Sequence, residues 1–289
     1  MRPKQRTAIL RGTLAATLYV DLLKKSVLEE LYTENEVRLL YLRACLEGRE
    51  AFQQDVYLDV HRRWKESYDE YVEFREFGLA YRRPMNHLGF SHTMLNRARL
   101  ENIESCLEKI LADNVPGDCI ECGVWRGGAV IFMRGYLAAH DVEDRTVWVA
   151  DSFEGLPLPT LSQDAELTMS KTTHPMLAID LETVRDLFER YGLLDDRVRF
   201  LKGWFKDTLP GAPIDRLALL RLDGDLYEST MDALRALYHR VAPGGFVVID
   251  DYGAVEACRR AVTDFREQQG ITETLLPIDW SGVYWRCGG

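Results

Sequence analysis

Residues 118–128 read Asp-Cys-Ile-Glu-Cys-Gly-Val-Trp-Arg-Gly-Gly, and this stretch decides the fold class. Its first part, 118–124, predicts a short buried strand, and Arg126-Gly127-Gly128 predicts a turn into a helix. A glycine-rich turn at this point lets a ligand approach the backbone closely. The turn begins with the acid Glu121, which would repel a pyrophosphate but can accept a hydrogen bond from an ammonium group. It therefore differs from the GxGxxG turn, which presents helix N–H groups to a dinucleotide.

Downstream of this turn, short apolar strands alternate with helical patterns. Further strands are predicted at 146–150, 198–201, 217–222 and 246–249, with a closing antiparallel hairpin of 274–278 and 283–286. Helices are predicted at 181–191, 255–269 and 231–240, the last one stopped by Pro243-Gly244-Gly245. This alternation predicts an α/β fold, with a mostly parallel sheet covered by helices on both faces. Ligands of such sheets bind at the carboxyl ends of the strands, so the polar residues there are the candidate site.

The first 90 residues contain few glycines and show helical spacing of their apolar residues. Within them, an aromatic stripe at helical spacing consists of Trp64, Tyr68, Tyr71, Phe74, Phe77 and Tyr81. We expect the stripe to pack against the protein's own body or a partner subunit, or to act as a substrate lid. The predicted division is therefore a helical region at 1–90, serving as lid or oligomerisation element of a homodimer or larger homo-oligomer, and a ligand-binding domain at 91–289.

The composition excludes several classes of partner. The chain has 36 basic and 46 acidic residues and a net charge of −10, which argues against a nucleic-acid-binding surface. No apolar run approaches the length of a membrane span. Arg11 and Asp21 interrupt the apolar stretch near the N-terminus, so we interpret it as an amphipathic helix of a cytoplasmic protein rather than a signal peptide. The six cysteines are scattered, and Cys119 and Cys122 would point to opposite faces of a strand, as buried packing residues rather than zinc ligands.

Carboxylates follow three of the predicted strands. Asp223 and Asp225 follow the fourth strand, and Asp250 and Asp251 follow the fifth. Adjacent strands would bring these four groups into one crevice, where they would raise one another's pKa values unless a cation bound there. All-oxygen ligands favour Mg²⁺ or Ca²⁺ over zinc. Asp151 ends the second strand, where an acid can accept hydrogen bonds from two ribose hydroxyls or cap a following helix.

Taken together, these residues resemble the TylF (macrocin O-methyltransferase) family of sugar O-methyltransferases from antibiotic biosynthesis. Residues 16–33 also resemble the family's N-terminal helix. The matching motifs are His92-Thr93-Met94, Gly117-Asp118, residues 120–128, residues 147–157, Gly203-Trp204-Phe205, residues 222–230, Pro243-Gly244-Gly245 and Asp250-Asp251-Tyr252.

The resemblance implies a class I, Rossmann-like methyltransferase fold with seven strands, the last one antiparallel. It also implies a Mg²⁺ ion held by Asp223, Asp250 and Asp251. Asp180 stands where a serine lining the adenosine site is expected, and residues 34–90 look like an insertion relative to typical members. The implied S-adenosylmethionine site comprises Thr93, Met94, Glu121, Cys122, Gly123, Val124, Trp125, Asp151, Ser152, Phe153, Glu154, Gly155, Asp180, Gly203, Trp204 and Asp223.

The implied reaction is methyl transfer to a sugar hydroxyl of a glycosylated small molecule. Coordination to Mg²⁺ would lower the pKa of that hydroxyl, and a nearby carboxylate would accept its proton. We assign Asp225 as the base because Asp223 is occupied by the metal, and His92 is a further candidate. Two other classes fit a similar sheet: a nicotinamide-dependent oxidoreductase, which the missing GxGxxG disfavours, and a metal-dependent hydrolase, in which the same carboxylates would hold two ions.

Overall fold

A computed structural model describes residues 3–77 and 91–288, with side chains described for 14–76 and 91–288. These residues form two compact units. The smaller unit consists of the described residues of Asp21–Arg97, and the larger unit consists of 3–20 and 98–288. Among the described residues, no helix has the length and the apolar character needed to cross a membrane.

The larger unit is built around one seven-stranded sheet. Its strands are β1 (Asp118–Cys122), β2 (Val147–Asp151), β3 (Val198–Lys202), β4 (Leu217–Leu222), β5 (Val241–Ile249), β6 (Leu276–Pro277) and β7 (Val283–Arg286). The strand order is β3-β2-β1-β4-β5-β7-β6. The first five strands are parallel, and β7 runs antiparallel to both β5 and β6. The predicted mostly parallel sheet with an antiparallel closing hairpin is therefore confirmed.

Helices connect the strands and cover the sheet. They are α6 (Arg97–Ala112), α7 (Gly128–Ala139), α8 (Leu181–Arg190), α9 (Phe205–Thr208), α10 (Tyr227–Leu237) and α11 (Glu256–Gln269). Ile120 and Cys122 pack with residues of α10 and α11 in one buried cluster, whereas Cys119 lies beside Cys106 of α6. Side chains of a strand alternate between faces, so Cys119 and Cys122 point to opposite sides as predicted. Both are free and buried.

One predicted boundary is wrong. Pro243-Gly244-Gly245 was expected to separate a helix from a strand, but β5 already begins at Val241 and contains all three residues. The two glycines pair with the end of the chain: the Gly244 N–H donates to the Cys287 carbonyl at 2.9 Å, and the Cys287 N–H donates to the Gly245 carbonyl at 2.8 Å. A breaker motif thus becomes strand because a segment more than 40 residues away supplies its hydrogen-bond partner.

The smaller unit is helical. It contains the end of α1 (Pro3–Val27), then α2 (Thr33–Leu46), α3 (Gln54–Leu58), α4 (Val60–Arg63) and α5 (Lys65–Phe77). Its core is a cluster of Val37, Tyr41, Val56 and Val60. Trp64, Tyr68 and Tyr71 of the aromatic stripe pack against this cluster, so these three side chains cover their own unit. The side chain of Phe77 and the whole of Tyr81 lie outside the described residues, and the roles as lid and oligomerisation element remain predictions.

Gly123, directly after β1, is the tightest position next to the sheet. It has a φ of 89°, and a Cβ added there would lie 1.8 Å from the Asp223 carbonyl oxygen. We therefore expect Gly123→Ala to lower the free energy of unfolding by about 2–5 kcal/mol, through the steric overlap and the left-handed backbone. Urea unfolding measures this change. Gly211→Ala is the matched control, since no atom of a described residue lies within 4 Å of its added Cβ; equal losses for the two variants would contradict the prediction.

Candidate functional site

The carboxyl ends of β2, β1 and β4 meet at one edge of the sheet. Main-chain hydrogen bonds continue past the strands: the Gly123 N–H donates to the Ala150 carbonyl at 2.8 Å, and the Asp223 N–H donates to the Cys122 carbonyl at 2.9 Å. The turns that follow these strands are thereby fixed to one another. The predicted site residues that end different strands are therefore brought together at this edge.

The turns at this edge contain unusual backbone conformations. Trp125, Phe153 and Asp225 follow β1, β2 and β4, and they have φ angles of 49°, 58° and 54°. Left-handed backbone is unfavourable for residues other than glycine, and it persists only where the surroundings enforce it. Such positions cluster at functional sites. Their occurrence after three neighbouring strands singles out this edge as the candidate site.

Asp151 joins the first two turns. Its Oδ2 accepts a hydrogen bond from the Val124 N–H at 2.7 Å, and its Oδ1 accepts one from the Phe153 N–H at 2.8 Å. Burial raises the pKa of Asp151, although these hydrogen bonds act in the opposite direction. The helix-capping alternative is not observed, because no helix follows this residue directly. The Ser152 hydroxyl also lies 3.4 Å from Oδ1, and a carboxylate has about four lone-pair directions, so capacity remains for a ribose hydroxyl.

The neighbouring predicted cofactor residues lie on the same turns. The Ser152 hydroxyl donates to the Gly155 carbonyl at 2.7 Å and so closes the second turn. Gly203, after β3, donates its N–H to the Asp151 carbonyl at 2.9 Å, and Trp204 follows it half-buried. Glu154 is exposed on the second turn.

Other predicted cofactor residues are placed differently. The Cys122 side chain is buried in the cluster with α10 and α11, so only its main chain lies at the edge. Asp180 is exposed and caps α8 by accepting a hydrogen bond from the Thr183 N–H at 2.8 Å. Thr93 and Met94 belong to the smaller unit, as does the candidate base His92. Their assignments remain predictions.

Glu121 and Arg221 form a buried ion pair across neighbouring strands. They are register partners on β1 and β4, and each side chain is at most 2% exposed. Arg221 also contacts Asp250 and donates to Asp223 Oδ2 at 3.0 Å. Burial raises the pKa of Glu121 to about 8, while the Arg221 charge opposes this shift. Among the residues that the structure describes, none donates a hydrogen bond to the buried Oε2 atom of Glu121, so this acid retains a free acceptor.

The network continues through a second arginine. Arg99 of α6 contacts the other carboxylate oxygen of Asp250, and its Nε donates to Asp279 Oδ2 at 2.8 Å. Ser281, in the same turn as Asp279, donates its hydroxyl to the Asp250 carbonyl at 2.7 Å. Sequence reasoning missed both arginines. The available signal was Arg221 itself, a charged residue inside the otherwise apolar strand β4.

Asp223, Asp250 and Asp251 lie close enough to share one ion. Each offers a carboxylate oxygen, and these atoms lie within 4.8 Å of one another. Burial and the neighbouring acids raise the pKa of Asp223 to about 6, that of Asp225 to about 7, and that of Asp251 well above its usual range. Both oxygens of Asp250 contact arginines, but each keeps a second lone pair. With Glu121, these carboxylates outnumber the two guanidinium groups, so the residues present fit a divalent cation.

The chain is similar in sequence and in structure to known O-methyltransferases. Residues 16–287 match the family described as Macrocin-O-methyltransferase (TylF). A curated relative from Streptomyces olivaceus, 8-demethyl-8-(2,3-dimethoxy-alpha-L-rhamnosyl)-tetracenomycin-C 4'-O-methyltransferase, is 58% identical over 68% of this chain and 76% of its own length. Mycinamicin III 3''-O-methyltransferase from Micromonospora griseorubida is 54% identical over 68% of this chain and 78% of its own. The solved structure of the O-methyltransferase NovP is 42% identical, covers 95% of this chain and all of NovP, and superposes with a TM-score of 0.77.

Arg221 is expected to be essential for stability. Arg221→Met leaves Glu121 without its buried counter-charge and Asp250 with Arg99 alone, and we expect a loss of about 3–5 kcal/mol in the free energy of unfolding. Adding Glu121→Gln should recover part of this loss because it removes one of the buried charges. Arg199→Met, at an exposed position of β3, is the control and should cost less than about 0.5 kcal/mol. Thermal and urea unfolding measure all variants; an Arg221→Met protein as stable as the control would contradict the assignment.

Proposed function

The chain belongs to the macrocin-O-methyltransferase (TylF) family, and we propose that it transfers the methyl group of S-adenosylmethionine to a sugar hydroxyl of a glycosylated natural product. Membership of this family makes it an O-methyltransferase, and a methyltransferase implies S-adenosylmethionine as the donor. The oxidoreductase and hydrolase alternatives are thereby set aside. The observation that carries the finer proposal is the cluster of Asp223, Asp225, Asp250 and Asp251 at the edge that also holds the strained turns.

The charge and the turns of this edge suit a cationic nucleoside without a phosphate. In our proposal, Asp151 accepts a hydrogen bond from a ribose hydroxyl with its remaining lone pair. Gly123 has no side chain, which lets the turn after β1 approach the Asp223 carbonyl and places the backbone of both turns beside the ligand in this proposal. The acids of the edge favour the positively charged sulfonium and ammonium groups of S-adenosylmethionine.

We assign Asp225 as the base that accepts the proton of the sugar hydroxyl. A base is most effective when its pKa lies near the working pH, and burial together with Asp223 and Asp250 raises the pKa of Asp225 to about 7. Asp223 is less suited, because its carboxylate accepts a hydrogen bond from Arg221. The Asp225 N–H donates to Asp251 Oδ2 at 3.1 Å, which fixes the backbone of the base beside the proposed metal ligands.

Asp223, Asp250 and Asp251 would hold a Mg²⁺ ion in this proposal. When bound, the ion would supply a positive charge that lowers the pKa of a sugar hydroxyl beside it. Arg99 on α6 and Arg221 on β4 each contact one carboxylate oxygen of Asp250, and they thereby orient this side chain for the proposed role.

Methyl transfer by this protein should therefore require a divalent cation. The probe acceptors are mycinamicin III and 8-demethyl-8-(2,3-dimethoxy-alpha-L-rhamnosyl)-tetracenomycin C, the compounds in the relatives' names. We expect S-adenosylhomocysteine to form with at least one of them in the presence of Mg²⁺, with loss of turnover in excess EDTA and recovery when Mg²⁺ is returned. Calorimetry should show that S-adenosylmethionine binds. Absence of that binding would overturn the proposed donor, and full turnover in EDTA would overturn the metal requirement.

Asp225→Asn should separate the chemistry from cofactor binding. The amide cannot accept the proton, so we expect kcat to fall by about 10²- to 10⁴-fold. The dissociation constant of S-adenosylmethionine, measured by calorimetry, should stay close to that of the unaltered protein. Asp232→Asn is the matched control, since it removes an acid of the same helix whose charged neighbours lie outside the carboxylate cluster, and it should keep most of its turnover. A fall in kcat shared by both variants would contradict the role of Asp225 as base.

A further inference from the structure

Asp164 is a buried acid that the proposed reaction does not use. It ends the short turn Ser162–Asp164 within the long segment 152–180 that connects β2 to α8. Its neighbours Ser162 and Ala165 are exposed, but Asp164 itself is 0% exposed. Removing a carboxylate from water is costly unless its oxygens are satisfied by hydrogen bonds. The position of its partners therefore indicates what the residue does.

Both carboxylate oxygens of Asp164 bind the first turn of α10. Oδ1 accepts a hydrogen bond from the Tyr227 N–H at 2.6 Å, and Oδ2 accepts one from the Glu228 N–H at 3.0 Å. The first N–H groups of a helix have no partner within the helix, and a negative charge at this end interacts favourably with the helix dipole. The local N-cap position is Leu226, which is 1% exposed and gives no side-chain cap. The cap is thus supplied by a segment 63 residues earlier in the chain.

The capped helix begins two residues after Asp225. Asp225 has left-handed backbone, and the short connection that contains it runs from the end of β4 to the start of α10. Its β4 side is fixed by the hydrogen bond from the Asp223 N–H to the Cys122 carbonyl, and its α10 side is fixed by Asp164. A strained connection holds its conformation only when both of its ends are held. Asp164 therefore holds the α10 end of the connection that carries Asp225, in addition to the hydrogen bond from the Asp225 N–H to Asp251.

The segment that carries Asp164 also reaches the predicted cofactor turns. Trp125, in the turn after β1, donates its Nε1–H to the Met176 carbonyl at 2.9 Å, and Thr160 donates its hydroxyl to Glu228 Oε2 at 2.6 Å. Leu167 packs against the buried cluster that includes Tyr227. One segment thus connects the turn after β1 with the start of α10.

We propose that Asp164 is a positioning residue of the methyl-transfer site, which holds Asp225 in place by capping α10 from the segment 152–180. This inference rests on the proposed function, because it gives Asp225 the role of base. It also makes the placement of the base depend on the conformation of that segment. Misplacement of a reacting group by about 1 Å can cost about a hundredfold in rate, so the loss of one cap has a catalytic consequence.

The experiment compares Asp164→Ala, Asp164→Asn and a matched control. Asp118→Ala is the control, because Asp118 also accepts two N–H hydrogen bonds, from Thr146 N and Trp148 Nε1 at 2.8 Å each, but at the start of β1. For Asp164→Ala we expect kcat to fall about ten- to a hundredfold while the dissociation constant of S-adenosylmethionine changes by less than about twofold. Asp118→Ala should lose stability and keep its kcat. Asp164→Asn retains one acceptor oxygen, so its kcat should lie between that of Asp164→Ala and that of the unaltered protein.

Amide hydrogen exchange provides a readout that needs no acceptor. In Asp164→Ala, and more weakly in Asp164→Asn, exchange should accelerate in the peptide covering 224–230 and stay unchanged in β1. Unchanged exchange, an unchanged kcat, or a loss of cofactor affinity equal to the loss of kcat would each overturn the inference. If Asp164→Ala does not fold, Asp164→Asn decides by the same measurements. If the unaltered protein binds no S-adenosylmethionine, the proposed function fails, and the exchange data still decide whether Asp164 anchors the Asp225 connection.

Discussion

The guanidinium of Arg221 is the group on which the site depends. It lies in the sheet between β1 and β5, and it contacts Glu121 on one side and Asp250 on the other. A carboxylate at each of these positions would be costly to bury without it. A protein with apolar residues of similar volume in place of a buried ion pair is often as stable. The ion pairs are therefore better explained by the side chains that they hold in position than by a gain in stability. Here they fix Asp250, next to Asp251, at the end of β5.

The edge of the sheet at the carboxyl ends of the strands contains several features that lower the stability of the fold. Burial and the neighbouring acids raise the pKa values of Asp225 and Asp251, three residues other than glycine adopt left-handed backbone, and Gly123 allows two turns to approach each other closely. Such a region is held by its surroundings: the apolar sheet below it, Asp151 between the first two turns, and Asp164 at the start of α10. The sheet and these contacts thus hold a site whose own backbone conformations and crowded charges are unfavourable.

Arg99, Asp279 and Ser281 illustrate how distant segments complete the site. Arg99 on α6 binds Asp250 and, through Asp279, the turn between β6 and β7. That turn returns to β5 through Ser281, which donates to the Asp250 carbonyl. The closing hairpin of the sheet therefore contributes to the site by fixing Asp250 from a second direction. The antiparallel end of this sheet thus holds a proposed metal ligand in place, although no predicted site residue lies on it.

The sequence by itself determined the alternation of strands and helices, the carboxylates at the strand ends and the family, because periodicity and short motifs are local properties. It also placed both cysteines of β1 on opposite faces. Only the tertiary structure decided the partners: Arg221 with Glu121 100 positions earlier, Asp151 as a link between turns rather than a helix cap, and Pro243-Gly244-Gly245 as strand rather than a break. These outcomes depend on strand order and register, which bring distant segments together, and local spacing in the chain carries no information about which distant group will satisfy a buried charge or N–H.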